Sequence, residues 1–143
     1  MEDLSLFLKG NKKTRKNTKY AATKSLCDKS GNPLLWEIKA LSTVENDRIR
    51  AECMKNVPIA GKRMQYRQEL DTAEYLAKMI CACVVSPDLY NKELQDSYGV
   101  KTPEELIREM IDNPAEYDDF ASFIQGFNGF DETMQDAVDK AKN

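Results

Sequence analysis

The sequence has no histidine. That removes the side chain most often used for proton transfer near neutral pH, and the commonest metal ligand. Cysteine is sparse. The four stand at 27, 53, 81 and 83, and Cys81-Ala82-Cys83 lacks the two-residue spacer of a redox or zinc pair. Reduced thiols are expected, with Cys81 on the core face of a helix. The six glycines form no phosphate-cradling loop, and neither GxSxG nor HExxH occurs. "DKSGN" at 28–32 lacks the spacing and closing glutamate of a calcium loop. The acid pairs Glu104/Glu105 and Asp118/Asp119 fall in first turns or on polar helix faces and read as solvated. No run approaches the ~20 apolar residues that span a bilayer. The opening "MEDLSLFLKGNKK" has an acidic start and only five mostly apolar residues, Leu4 to Leu8, so no secretory signal is expected. Enzyme chemistry, a metal and an organic cofactor are all unexpected.

What is present suits one folded domain spanning residues 1–143. An apolar fraction of 41% over 143 residues supports a core, burying roughly two thirds of the unfolded surface. Charge is polarised. Residues 1–85 carry 16 basic and 10 acidic side chains, a net +6; residues 86–143 carry 5 and 14, a net −9. Seven cations lie between Lys9 and Lys24 with no acid among them. Such a run suits nucleic acid, but it has only Tyr20 where a single-strand binder interleaves aromatics. A basic arm leading into a strand is the plainer reading. The polarity also suits self-association or a partner of matching charge.

The pattern predicts an α+β fold: an N-terminal antiparallel β-hairpin or three-stranded meander packed with helices, then an all-helical C-terminal half, with about six helices in total. A β-rich lobe covers 1–70 and a helical lobe 71–143. Strands near 18–26 and 34–41 flank the turn formers of "CDKSGNP". Trp36, Ile38 and Ala40 share one face, with Trp36 as core anchor. Ser42-Thr43-Val44-Glu45 is a capping box, opening a helix that should reach about Asn56. Its apolar stripe, Val44, Ile49 and Cys53, is thin. "GKRMQYRQEL" alternates and is expected as a third strand. Ala73, Leu76, Ala77, Ile80, Cys81 and Val84 define the central helix.

Three later helix starts repeat a capping residue followed by proline: Ser86-Pro87, Thr102-Pro103 and Asn113-Pro114. Helices are expected near 87–97, 103–112, 114–125 and 131–141. Gly99 should close the first and Gly126 the third, with Asp131 capping the last.

Two segments stand out as interaction surface: Leu6-Phe7-Leu8, and "FIQGFNGF" with Phe123, Phe127 and Phe130. Met110 and Met134 add adaptable apolar side chains. The N-terminal segment fits docking on its own fold as well as on a neighbour. Every residue of the aromatic corner also has a packing explanation.

Motifs spread along the chain resemble one family: "LFL" at 6–8, "GNP" at 31–33 with "WEI" at 36–38, "VVSPDL" at 84–89, "ELQDSYGV" at 93–100, "TPEEL" at 102–106 and "NGF" at 128–130. Their order resembles the tail assembly chaperones of contractile-tailed phages and Bacillus-like prophages, the XkdN-like type. "NPAEYDDF" departs from that pattern, with Phe120 where leucine is expected. The resemblance implies a non-catalytic cytoplasmic protein, absent from the mature virion. It implies a role in keeping the tape measure protein soluble and recruiting tail tube protein. It also implies a frameshifted longer form, for which Lys142-Asn143 could be encoded by a slippery heptamer. The alternatives are a basic-arm nucleic-acid-binding phage protein and a structural virion component.

Overall fold

The computed structural model describes residues 3–130. Strands β1 (Thr18–Tyr20) and β2 (Trp36–Ile38) pair antiparallel, with Tyr20 opposite Trp36. The predicted hairpin is present with shorter strands, and its far end closes through a bridge between Cys27 and Pro33. Trp36 and Ile38 are buried, as the alternation required.

Helix α1 (Thr43–Glu52) starts on the predicted capping box. Glu45 N–H donates to Ser42 Oγ and Ser42 N–H to Glu45 Oε1, both at 3.1 Å. It stops about four residues earlier than expected. Residues Met54–Pro58 form strand β3 and pair with β4 (Tyr66–Leu70). The cross-strand ladder satisfies the backbone that a longer helix would have used. The predicted third strand thus exists in part, but as half of a separate two-stranded ribbon. Met64, expected on a strand face, is a left-handed turn residue with φ 57°.

The third strand of the main sheet is β5 (Val84–Ser86), which follows helix α2 (Thr72–Cys83) and pairs antiparallel with β2. Val84, expected on the helix's apolar stripe, is the C-cap. Asp71 caps α2, its side chain accepting from Glu74 N–H at 3.1 Å. Ala77, Ile80 and Cys81 are buried as predicted, Met79 and Cys83 are buried as well, and Ala73 is exposed. α2 packs against α1, α4 and α5 and is the centre of the core.

Helix α3 (Lys92–Ser97) begins later than the Ser86-Pro87 signal suggested. Asp88 accepts from Tyr90 N–H at 3.0 Å, a local turn that competes with helix, and Asn91 becomes the cap. Gly99 follows with φ +70°. Helices α4 (Pro103–Met110) and α5 (Pro114–Phe127) start on their cap-plus-proline signals. Leu106, Ile107, Met110 and Ile111 bury one stripe, and Phe120 and Ile124 bury another. Five of the six expected α-helices are therefore seen; the sixth, at 131–141 with its Asp131 cap, lies outside the described residues.

Candidate interaction surface

The glycine-rich corner is a helix terminator. α5 continues through Gly126, where it was expected to end, to Asn128 as C-cap. Gly129 takes the left-handed conformation at φ +80°. Phe130 N–H donates to Gln125 O and Gly129 N–H to Gly126 O, both at 3.0 Å. This pair of bonds is the Schellman motif, which satisfies carbonyls left over at the helix end.

Asn128 then ties this end to the rest of the fold. Its Oδ1 accepts from Leu41 N–H at 2.7 Å, and its Nδ2 donates to Ile124 O at 2.8 Å and reaches Cys83 Sγ at 3.5 Å. Burial pushes the Cys81 thiol up to about 12 and raises that of Cys83. Both thiols are therefore protonated and unreactive at neutral pH.

Phe123 and Phe127 belong to an aromatic ladder. Trp36 meets the edge of Phe120 at 5.6 Å, and Tyr20 stacks on Phe120 at 5.5 Å. Tyr20 also stacks on Phe123 at 4.1 Å, and Phe123 on Phe127 at 6.0 Å. The ladder fastens the sheet to α5. Glu116, in the first turn of α5, fastens it again by accepting from Thr23 Oγ1 and Lys24 N–H, both at 2.8 Å.

The expected site residues separate accordingly. Met110 is core, at 5% exposure. Phe123 and Phe127 are half-buried packing groups. Phe130 is exposed, and Met134 lies outside the described residues. Leu6, Phe7 and Leu8 are exposed by 71%, 78% and 62%, with Leu4 at 66%, so this segment does not dock on the described fold.

Its backbone is nevertheless ordered locally. Two 3₁₀ turns, Leu4–Phe7 and Lys9–Asn11, follow Asp3, whose carboxylate accepts from the backbone and hydroxyl of Ser5. Asn11 Nδ2 closes back on Ser5 O at 2.6 Å. Arg15 tethers the arm to the body by donating to Leu41 O.

Between arm and body lies a cleft of about 710 Å³. Lys9, Lys12 and Lys13 line it together with the first residues of α1, Asn128 and Phe130. These lysines make no ion pair with any described residue. The positive end of the α1 dipole adds to their field. The sequence marked Lys9–Lys13 as basic and Phe130 as apolar, but nothing local indicated that Asn128 would bring them together. The β3–β4 ribbon is a second exposed feature, with Met54, Met64 and Tyr66 uncovered.

No helix among the described residues is long and apolar enough to cross a membrane. The fold is that of a crystallised protein, YqbN: the structures superpose with a TM-score of 0.74 at 24% identity, covering 90% of this chain and 98% of the other. The phage XkdN-like tail assembly chaperone proteins match residues 4–142, so the chain belongs to that family. Among its relatives in Bacillus subtilis (strain 168) is the uncharacterized protein YqbN, 29% identical over 99% of this chain and 93% of the relative. The phage-like element PBSX protein XkdN is 27% identical over 99% of this chain and 94% of the relative.

Proposed function

We propose that this tail assembly chaperone is non-catalytic. It binds the tape measure protein, holds it soluble and aids assembly of tail tube protein around it. It acts in the host cytoplasm and leaves before the virion is complete. The carrying observation is the uncovered apolar run Leu4, Leu6, Phe7 and Leu8 beside a cationic cleft. A protein that holds a partner in soluble form needs such a patch, and dense surface charge keeps it soluble while the patch is open.

The chain is read as one cooperative unit, with its 1–70 and 71–143 lobes sharing one core. Leu6, Phe7, Leu8 and Phe130 are the contact residues of this reading. Phe123 and Phe127 are packing groups of the aromatic ladder and are not among them.

Co-expression with the tape measure protein tests it. A tape measure protein that aggregates alone and co-elutes in soluble form with this chain supports the reading. Unchanged solubility and no co-elution refute it. The exposed lysines favour nucleic acid as the second reading. Against it, Tyr20, the one aromatic within the basic run, has its ring stacked in the core ladder. It is not free to stack on a base.

A further inference from the structure

We infer that the cleft beneath the basic arm takes an acidic amphipathic helix of the partner protein. The identity of that partner rests on the chaperone reading; the chemistry of the segment does not. The lining of the cleft includes the cations Lys9, Lys12 and Lys13 and the apolar ring of Phe130. Leu8 and Phe7 stand immediately before Lys9 with their side chains uncovered. The complement is a surface with carboxylates on one side and an apolar stripe on the other. A helix supplies both at i, i+3, i+4 spacing.

Size agrees. A helix is ~10 Å across and rises ~1.5 Å per residue, so about 710 Å³ holds roughly six residues, close to two turns. That is far more than a single anion requires.

Two other occupants fit less well. Among the described residues a second copy of this chain offers the acidic helices α4 and α5, but these bury their apolar stripes: Leu106, Ile107, Phe120 and Ile124 are fully buried. They have no open apolar face to offer Phe130 and the leucines. A nucleic acid presents a continuous polyanion, and the described residues 86–130, with 3 basic and 10 acidic side chains, a net −7, repel a strand that runs on beyond the arm. A short acidic helix meets the lysines without that conflict.

Fluorescence anisotropy with three labelled peptides tests the inference. The first has glutamates on one helical face and leucines on the other. The second has the same composition scrambled, and the third has lysine in place of glutamate. The full chain is expected to bind the first at least about tenfold tighter than the others, with affinity falling as salt rises. The triple variant K9E/K12E/K13E should lose this preference, and K9Q/K12Q/K13Q should weaken it. All three lysines are exposed, so both variants should keep the wild-type melting temperature. Equal binding of the scrambled peptide, tighter binding of a single-stranded DNA oligonucleotide, or an unaffected triple variant each overturns the inference. Co-expression separates it from the broader reading. If wild type solubilises the tape measure protein and the triple variant does so equally well, the acidic-helix inference fails and the chaperone role stands. If wild type fails there but binds the first peptide selectively, the chaperone role fails and the inference stands.

Discussion

The two ends of the described chain treat apolar side chains in opposite ways. In α4 and α5, net acidic, the apolar stripes are sealed inside, with Leu106, Ile107, Phe120 and Ile124 inaccessible. In the arm ahead of β1, net basic, Leu4, Leu6, Phe7 and Leu8 are all more than half exposed. Both carry large apolar side chains; their hydrogen bonding differs. α4 and α5 begin on caps and prolines that fix whole helices, each long enough to present a stripe to α2. The arm closes only on itself, through Asp3, Ser5 and Asn11, and meets the body through Arg15. Apolar content alone therefore does not place a residue in the core. In the proposed reading the helical half is scaffold, and the arm is the surface it carries.

The sharpest break of this contrast is at Phe120. Removing its ring from between Trp36 and Tyr20 should cost about 3–5 kcal/mol, lowering the melting midpoint by on the order of 10 °C. Thermal denaturation followed by circular dichroism reads it. Asn128→Ala comes next. It leaves the buried Leu41 N–H without its acceptor, at about 1–3 kcal/mol. It should also loosen the cleft wall, so peptide affinity should fall with stability. By contrast, Leu6→Ser, Phe7→Ser and Leu8→Ser together should change stability by no more than about 0.5 kcal/mol while abolishing solubilisation of the partner. A large stability loss in that triple variant would show that the segment is core.

Thiol labelling sharpens the same line. Cys27 is exposed, whereas Cys53, Cys81 and Cys83 are buried. One thiol should react in the folded chain and three more only on unfolding. The smallest effect concerns pH. The Lys24 N–H and Thr23 hydroxyl hold the Glu116 carboxyl below its ordinary value of about 4.5. The Lys39 ammonium does the same for Glu45. A depressed folded pKa means stability is present above the ordinary value and is lost as pH falls through it. Stability should therefore hold from pH 7 to about 5 and decline below about 4.5, less steeply in Glu116→Gln.

What the sequence made legible was local. The Ser42/Glu45 box, Thr102-Pro103 and Asn113-Pro114 each act within one turn, and each opened the helix it announced. The periodic apolar residues of α2 were equally plain. The misreadings arose where pairing was distant or signals competed. Val84–Ser86 is too short to show a period and is a strand only because β2 lies beside it. Met54–Pro58 looked like the end of α1 because its partner strand, Tyr66–Leu70, lies beyond an intervening turn. Asp88 spent its side chain on a turn before helix could begin. Two glycines three residues apart offered α5 two endings, and the Schellman bonds selected Gly129. For the surface, the sequence marked Leu6, Phe7 and Leu8 as apolar but left open whether they dock on their own fold; only the structure shows them uncovered. Met110 was not distinguishable from them, since a buried and an exposed methionine read alike until neighbouring helices are placed.

The central claim is that the arm, and not the acidic helical half, meets the partner. Hydrogen exchange of the chain alone and in complex with the tape measure protein tests it most directly. Protection gained across residues 4–16 and at Phe130, with α4 and the outer face of α5 unchanged, is the predicted result. Protection confined to α4 and α5, with the arm still exchanging freely, would contradict it.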